Sequence, residues 1–522
     1  MFSESWHRRI FLFGIISLAT GLLFGALPTS IPQIILGANW FLEKKYVSKI
    51  KSLYTNTFFL VLSSLFLLHL VGLIYTSNIS TGLNDIKTKI PLLIFAIIFL
   101  STKPLNKKEF ELFFKCFFAS VILSSIFCFI VYMGLTNKHI IDVRDASIFI
   151  SHIRFSLIIA FTVIGIFYFL KSKTEILIGS LSIIWLLLFM YKLEMATGIF
   201  LLLSVSFILL INYVLKKANN YLSLVILLLL SISCFYGYKK IKSDLLMFNK
   251  NPLSKNNALL QKTLNGRVYL QDTLFNLAEN GNLITINICD DELQKEWNNS
   301  SKLKYYKNDN NGNSLRFTIL RYLSSKGLTK DSAGLSNLNK PDIIKIENGI
   351  SNFNYSFNSG LSHKWREIIW EYTNYKRHEN PSGHTLTMRL EFWKTAFYII
   401  KQNPFFGVGT GDVQQSFNLA YEQMHSKLLP QWRLRCHNQY LAITVAFGFF
   451  GFCIFIFYLL YPIIKLNSKL HQLYWPFILI LAFSFLTEDT LESQAGLTFF
   501  GIFNTLFIWL ASNENKTSTQ KV

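Results

Sequence analysis

The sequence predicts an all-α polytopic membrane protein with about twelve transmembrane helices and one large, mostly helical loop domain between the ninth and tenth. The chain has 522 residues, of which 51% are hydrophobic and only 16% are charged, a balance that is unusual for a soluble domain. Its apolar residues form runs of roughly 17 to 25 residues, the length a helix needs to cross the hydrocarbon core of a bilayer. These two observations together predict a multi-pass membrane protein.

The apolar runs define the expected spans. The second and fourth are short and contain or adjoin Pro28, Pro32 and Pro91, so the expected total is twelve within one or two. The first run follows Arg8 and Arg9 but has no small-residue cleavage site, so we interpret it as a retained anchor. The spans are placed at 10–27, 29–42, 57–75, 89–101, 112–134, 149–170, 176–193, 196–215, 220–237, 437–464, 473–488 and 495–511.

Basic residues set the expected orientation, because cytoplasmic loops of membrane proteins carry an excess of Lys and Arg. With both termini in the cytoplasm, every short inner loop is basic. The expected domains are transmembrane helices in 1–237, a periplasmic segment at 238–436, three helices in 437–511 and a cytoplasmic tail at 512–522. The inner loops also account for much of the net charge of +21, so no nucleic-acid partner is expected.

The periplasmic segment is expected to fold, since Leu259–Leu277 and Lys364–Tyr375 have apolar residues at helical spacing. Cys289 and Cys436 both lie in this segment and either pair as a disulfide or stay free thiols. The six cysteines form no metal-ligand pattern.

Arginine is concentrated on the expected outer side, whereas the inner loops rely on Lys. A guanidinium can grip phosphate oxygens with two parallel hydrogen bonds, which suits a pyrophosphate-bearing lipid. The alternative for any single residue is a solvated loop position. The ten outer arginines are Arg144, Arg154, Arg267, Arg316, Arg321, Arg366, Arg377, Arg389, Arg433 and Arg435.

The stretch 389–401 predicts an amphipathic helix lying along the membrane surface, with polar residues opposite an apolar face. Arg389 precedes Trp393 by one turn and falls towards that apolar face, where a cation needs an anionic partner. Pro404 ends the helix, and the glycines after it, among them Gly407 and Gly409, form a flexible turn back to the membrane. The expected apolar face consists of Leu390, Trp393, Phe397 and Ile400.

His437 and Asn438 come at the outer end of the tenth span. Thr444, Gly448 and Gly451 are expected on the same helical face as His437, where glycines allow a neighbouring helix to approach closely. A neutral imidazole there can take a proton from an attacking sugar hydroxyl, because its pKa lies near working pH. The alternative is a packing histidine at a helix start.

These residues carry a resemblance to a known family. The pair His437-Asn438, nine further residues and then Gly448-x-x-Gly451 resemble the outer-loop signature of the O-antigen ligases. The preceding run from Arg389 through Asn403-Pro404 to Gly409 and the closing stretch 486–500 are similar to the same family. The resemblance implies a metal-independent glycosyltransferase with an undecaprenyl-pyrophosphate glycan as donor and no cofactor. It assigns catalysis to His437 and pyrophosphate binding to Arg389.

One departure from the family pattern shifts the expected phosphate site. Where relatives have Ser-Arg-Gly between the seventh and eighth spans, this chain has 195–198 as Met-Ala-Thr-Gly. Arg154, Arg433 and Arg435 are the candidate substitutes.

Three acids in the outer turn between the last two spans, Glu488, Asp489 and Glu492, either orient the histidine or bind acceptor hydroxyls, or they face water. Asn438, next to the histidine, is a further candidate for contact with the acceptor or with the histidine. Intramembrane His69 is either functional or hydrogen-bonded to a neighbouring helix.

The predicted reaction is inverting transfer of the glycan to lipid A-core in lipopolysaccharide biosynthesis, at the periplasmic face of a bacterial inner membrane. A polysaccharide polymerase and a protein O-oligosaccharyltransferase use the same parts and remain alternatives. A transporter or flippase is the alternative from another class. It is disfavoured because no internal repeat is visible and the polar signal lies on one side.

Overall fold

The computed structural model describes residues 3–138, 140, 142–217, 233, 235–243, 246, 257–273, 277–355, 361–376, 381–466 and 471–519. Most of them are helical, as predicted, and the described strands are two short segments. Two compact units share the chain. The first unit contains 1–212, 391–426 and 433–522, and the second contains 213–390 and 427–432.

Long apolar helices build the first unit, and described helices coincide with eleven of the twelve predicted spans. The predicted span at 220–237 lies outside the described residues apart from 233 and 235–237. The N-terminal helices are Glu4–Gly21, Ala26–Leu42, Tyr46–Tyr54, Thr57–Ile74, Ile79–Leu100, Lys107–Tyr132, His152–Tyr168, Lys173–Lys192 and Ala196–Lys217. The later helices are Val413–Gln423, Gln439–Lys465, His471–Ser484 and Gln494–Thr519, and the helix Thr385–Gln402 belongs to the first unit from residue 391 onward.

Six of these helices are long and apolar enough to cross a membrane. The count of twelve spans and the orientation of the termini stay predictions. The last helix is the most enclosed of the six, with 94% of its apolar window buried. Its Phe499, Phe503 and Phe507 rings meet the ring of Phe161 edge to face. The six are Thr57–Ile74, Lys107–Tyr132, Lys173–Lys192, Ala196–Val214, Gln439–Lys465 and Gln494–Ser512.

The helix Gln439–Lys465 is broken at Gly448, whose backbone has φ 63° and ψ −160°. In a continuous helix the amides of Phe449 and Phe450 would donate to the carbonyls of Val445 and Ala446. The break at Gly448 prevents both of these hydrogen bonds, which leaves two amides and two carbonyls without a partner inside the helix. The prediction that Gly448 continues one helical face below His437 is therefore wrong, because its positive φ turns the chain out of the helix.

The glycine-rich loop, residues 404–411, supplies partners for all four released groups. The amides of Val408 and Gly409 donate to the two released carbonyls at 3.0 and 2.9 Å. The two released amides donate to the carbonyls of Pro404 and Phe405 at 2.8 and 3.3 Å. Loop and broken helix thus exchange two complete pairs of backbone hydrogen bonds, so the loop is a fixed element of the first unit.

The same loop and the residue after it are hydrogen-bonded on the other side to the helix Thr57–Ile74 and to the turn that follows that helix. Thr410 donates its hydroxyl to the carbonyl of His69 at 2.7 Å. The carboxylate of Asp412 accepts the amides of Ser77 and Asn78 at 2.7 and 2.8 Å. Burial opposes the charge on Asp412, but these two amides stabilise the carboxylate and lower its pKa.

The amphipathic helix predicted at 389–401 is confirmed as Thr385–Gln402, but the predicted apolar face is wrong by about one residue. Phe392, Ala396 and Ile399 are buried, whereas Phe397 is 56% exposed. The spacing of apolar residues alone could not determine which face of this helix is buried, because aromatic residues occupy both sides of it.

The second unit has one large core and a small separate cluster of Ala278, Leu283 and Ile286. Its largest fully buried side chains are Trp297, Tyr305 and Tyr322. The antiparallel strands Ala278–Glu279 and Asn282–Leu283 form a short hairpin. The other described helices of the unit are Asp290–Ser300, Leu315–Lys326, Ser332–Ser336, Lys340–Glu347 and Leu361–Lys376.

One helix predicted in the second unit is confirmed and one is wrong. The pattern at Lys364–Tyr375 lies within the helix Leu361–Lys376. In the predicted helix Leu259–Leu277, the described residues 259–273 form turns and isolated bridges instead. The reason is the Asn265-Gly266 pair, a strong turn signal, with Gly266 at φ 83°.

The exchange of backbone hydrogen bonds predicts that Gly407 tolerates no side chain. A Cβ there would lie 2.4 Å from the carbonyl carbon of Ala446, and Gly407 has φ +68°. We expect Gly407→Ala to destabilise the protein by about 1–3 kcal/mol or more, from the strained backbone and the clash. Gly37→Ala is the control, because its Cβ would meet nothing within 4 Å. Thermal unfolding in detergent compares the two, and equal midpoints would contradict the argument.

Candidate functional site

His437 lies just before the broken helix and has φ 45°, a left-handed conformation that a residue with a side chain adopts only when its surroundings hold it. Two contacts hold the adjoining backbone. Trp393 donates its indole N–H to the carbonyl of Cys436 at 3.0 Å. Asn438 caps the helix by accepting the amide of Leu441 at 3.0 Å.

The imidazole of His437 faces an acidic turn. Its Nδ1 lies 3.4 Å from Oδ1 of Asp489, and the two side chains are 33% and 13% exposed. The ring of Phe392 lies 5.6 Å away, centroid to centroid. The histidine is therefore accessible from outside while its carboxylate neighbour is shielded.

A second group of charges lies in the same unit, where the ammonium of Lys89 is 2.8 Å from the carboxylate of Glu492. Lys89 also donates to the carbonyl of Leu491 at 2.6 Å. Gln439 donates to Glu492 at 3.0 Å and accepts the amide of Leu491 at 2.8 Å. Burial disfavours the charged form of Glu492, yet the Lys89 cation beside it lowers its pKa.

Two further side chains extend this charged cluster, which we define as His69, Asp85, Lys89, Arg435 and Glu492. Asp85 lies 4.0 Å from the ammonium of Lys89 and 3.9 Å from Nε2 of His69. A cavity of about 20 Å³ lies between His69, Asp85, Arg435 and Glu492. That volume is enough for one water molecule.

Backbone contacts join the histidine to the charged cluster. The amide of Gln439 donates to the carbonyl of Phe485 at 2.8 Å, and Asn438 donates its side-chain amide to Leu486 at 2.9 Å. The turn 485–492 therefore carries partners of both sites, Asp489 for the histidine and Glu492 for the lysine. His437 and the charged cluster form one connected arrangement.

The four candidate arginines have different surroundings. Arg435 lines the small cavity of the charged cluster and donates to Gln414 at 3.3 Å. Arg433 lies 3.9 Å from the carboxylate of Glu422. Arg154 donates to Ser151 at 2.9 Å, and its buried Nε has no hydrogen-bond partner among the described residues. Arg389 is half-buried in the helix Thr385–Gln402 and belongs to the second unit.

The three acids of the predicted outer turn are shielded from solvent rather than facing it. Glu488 is 9% exposed, and the Asp489 and Glu492 side chains are 13% and 16% exposed. Ligand atoms of His437, Glu488 and Asp489 lie within 4.8 Å of one another, a set that could hold a cation. The sequence showed no ligand spacing because the histidine is far from the acids along the chain.

The cysteines on the expected outer side are free thiols, not a disulfide. Cys436 is fully buried, and this burial raises the pKa of its thiol to about 12. A thiol of that pKa is protonated at neutral pH and unreactive. Cys436 therefore contributes packing and a backbone carbonyl to the site.

Sequence reasoning missed Asp85, Lys89 and Gln439. Asp85 and Lys89 are four residues apart, the spacing of an ion pair on one helix face. They come shortly before Pro91, where the sequence becomes strongly apolar. The Asp85–Lys89 pair could therefore have been recognised from the sequence. Gln439 could not, because only the folded chain places it beside Glu492.

Residues 342–456 match the family model described as O-antigen ligase. The matched stretch includes Arg389, the glycine-rich loop, His437 and the break at Gly448. A search among curated proteins found no relative of the chain.

The buried ion pair predicts a sharp asymmetry between single and double substitutions. Lys89→Met leaves the carboxylate of Glu492 buried without its cation, and we expect a loss of about 3–5 kcal/mol in stability. The double variant Lys89→Met/Glu492→Gln removes both charges and should regain much of that loss. Lys115→Met, at the exposed pair with Glu175, is the control and should change stability by about 0–1 kcal/mol. Thermal unfolding measures all three, and a double variant as unstable as the single one would contradict the pairing.

Proposed function

We propose that this chain, a member of the O-antigen ligase superfamily, transfers a glycan from undecaprenyl pyrophosphate to an acceptor hydroxyl at the periplasmic face of a bacterial inner membrane. The observation that carries the proposal is the approach of Asp489 to the accessible ring of His437 at 3.4 Å. His437, which lies within the stretch that matches the family, is the base that such a transfer needs, and Asp489 comes after that stretch.

His437 is the proposed general base. A carboxylate beside Nδ1 favours the tautomer with its proton on that nitrogen, which leaves Nε2 free to take a proton from the acceptor hydroxyl. Asp489 then stabilises the imidazolium that forms. The deprotonated oxygen attacks the anomeric carbon from the face opposite the pyrophosphate, so the configuration inverts.

The leaving group is a pyrophosphate, whose departure requires fixed positive charge. Within the charged cluster, Lys89 and Arg435 face Asp85 and Glu492, so the cluster is close to neutral by itself. We therefore propose further donor-site cations outside that cluster. In the first unit they are Arg154 and Arg433, the latter also facing Glu422 at 3.9 Å, and Arg389 of the second unit stays a separate prediction from the sequence.

Lipid A-core is the proposed acceptor, because the signature at His437 resembles the ligases. Polymerase and protein O-oligosaccharyltransferase activity use the same base and differ only in the acceptor hydroxyl. Analysis of the products separates these three, since the glycan would be found on lipid A-core, on another lipid-linked glycan or on a protein.

One observation favours a second candidate, a polysaccharide transporter. His69 and Lys89 are buried on helices, where ionisable groups often mark a substrate or proton path. Transport of the glycan across the membrane of vesicles that contain the protein, without formation of a glycosidic bond, would support this candidate over the transferase.

The base assignment predicts that His437→Asn lowers the transfer rate by about 10²–10⁴-fold, the usual contribution of general base catalysis. Asn tolerates the left-handed backbone at this position but cannot accept the proton. Asp489→Asn should lower the rate less, since it alters the tautomer of a base that remains. The measurement is glycan transfer in membranes at matched expression, scored on lipid A-core.

His425→Asn is the matched control, because His425 is exposed and also has a positive φ of 48°. It should transfer at the wild-type rate. Full activity of His437→Asn would refute the assigned role, and equal losses in both histidine variants would attribute the effect to folding.

The proposed mechanism uses no metal ion, so transfer should persist after a strong chelator has been added and removed by dialysis. Among the described residues, the triad of His437, Glu488 and Asp489 could hold a cation. The chelator experiment can therefore contradict the proposed mechanism. Loss of transfer that Mg²⁺ or Mn²⁺ restores would mean that these residues bind a catalytic metal instead.

A further inference from the structure

A cavity of about 500 Å³ lies in the first unit, where four helices begin or end. The helices Glu4–Gly21 and Lys107–Tyr132 begin there, and the helices Ala26–Leu42 and Ile79–Leu100 end there. The volume falls in the range of small-molecule sites, about 300–1,000 Å³. The lining contains charged, uncharged polar and apolar side chains, so it suits a ligand that is polar in one part and apolar in another. The charged lining residues are Glu4, Arg8, Glu43, Lys45, Lys103 and Glu109.

This cavity is separate from the proposed transfer site. Of the described residues that line it, none lines the cavity of the charged cluster. Asp85 lies near the start of the helix Ile79–Leu100 and Ile98 near its end, about 20 Å apart along the axis at about 1.5 Å per residue. The sequence predicts the end that carries Ile98 on the cytoplasmic side, where the leaflet contains anionic lipids.

Each carboxylate that lines the cavity is held by a basic side chain. Arg8 is the most firmly placed of these cations, because its guanidinium donates both to the Glu109 carboxylate at 2.9 Å and to the carbonyl of Pro104 at 2.8 Å. The acids therefore present little unbalanced negative charge to a ligand. The ion pairs are Glu4 with Lys45, Glu43 with Lys49 and Glu109 with Arg8.

Lys103 adds one positive charge beyond these three pairs. Its side chain is exposed, and it forms no ion pair with the described acids of the lining. Its backbone carbonyl accepts a hydrogen bond from Arg8, which fixes the chain at this position. With Lys49 included, the cations exceed the carboxylates by one. The cavity therefore favours a ligand with one net negative charge.

Aromatic residues indicate that the cavity lies at the level of a membrane interface, where tryptophans are enriched. Trp40 lines the cavity and donates its indole N–H to the hydroxyl of Ser101 at 2.8 Å. Trp509 donates to the carbonyl of Thr102 at 3.0 Å. The ring of Phe41, which is 62% exposed, lies 5.1 Å from the ring of Trp40. A small soluble anion would make no use of this exposed apolar surface.

We propose that this cavity binds the head group of an anionic phospholipid. The phosphate lies at Lys103, and an acyl chain follows the outer side of the helix Ala26–Leu42, where Ile34 and Phe41 are 71% and 62% exposed. Basic pockets between the ends of membrane helices suit phosphate head groups in this way. A zwitterionic lipid has no net charge to balance the additional cation. The site is independent of the proposed glycan transfer.

The test is native mass spectrometry of the full chain in detergent, titrated with phosphatidylglycerol, phosphatidylethanolamine or phosphatidylcholine. We expect one phosphatidylglycerol to bind about fivefold or more tightly than either zwitterionic lipid. Lys103→Gln should weaken its binding about fivefold, the contribution of one lysine near an anionic lipid. Lys108→Gln is the control, because Lys108 is exposed nearby and does not line the cavity. It should bind like the wild type.

A second pair of variants tests the cavity rather than the charge. Ser5→Phe places a ring on the lining and should also weaken binding of phosphatidylglycerol about fivefold or more, whereas Ser48→Phe should not. Both serines are exposed and bond only to nearby residues, and Ser48 is outside the lining. Unfolding midpoints without added lipid check that all four variants are folded.

Three outcomes would overturn the proposal. Equal binding of phosphatidylglycerol and the zwitterionic lipids would contradict the charge argument. Equal losses in the two lysine variants, or none in Ser5→Phe, would mean that lipid binds to the basic surface in general. Displacement of the lipid by millimolar inorganic phosphate or glycerol 1-phosphate would assign the cavity to a soluble phosphate instead. Glycan transfer by the Lys103→Gln variant is measured separately and should equal that of Lys108→Gln, so failure of either proposal leaves the other intact.

Discussion

The four backbone hydrogen bonds between the broken helix at Gly448 and the glycine-rich loop are the constraint on which the first unit depends. Within a bilayer no water is available to satisfy a released amide or carbonyl, so a helix can be interrupted only where protein supplies the partners. The loop supplies all four. Thr410 attaches it to the helix Thr57–Ile74, and Asp412 binds Ser77 and Asn78 just after that helix. The interruption therefore fixes the position of the segment that leads from Trp393 to His437.

A different interaction fixes the other side of the histidine. The buried pair of Lys89 and Glu492 gives little stability compared with an apolar pair of the same shape, because both charges must leave water. The pair instead determines the position of the turn 485–492. Lys89 and Gln439 hold the turn 485–492 through its backbone as well as through Glu492, and that turn carries Asp489. The geometry of the proposed base thus follows from a charge pair that lies elsewhere in the unit.

Much of this fold could be read from the sequence, because an apolar run of sufficient length has few alternatives to a helix. His437 and the glycine-rich loop could be singled out by their order and spacing. Contacts between distant segments could not, so the approach of Asp489 to His437 and the position of Lys89 had no local signature. Gly448 looked like a packing glycine, since its positive φ depends on partners supplied by residues 404–409. The buried face of the helix Thr385–Gln402 was predicted wrongly for the same reason, since it depends on the residues against which the helix packs.

The family match covers the two units unequally. In the first unit it contains the proposed base His437, the glycine-rich loop and the broken helix at Gly448, but not Asp489. Most of the core around Trp297, Tyr305 and Tyr322 precedes residue 342 and lies outside the match. A buried core constrains mainly the volume and the apolar character of its side chains, so this part of the second unit can change its sequence while keeping its shape. The match therefore follows the backbone constraint around Gly448 rather than the core of the second unit.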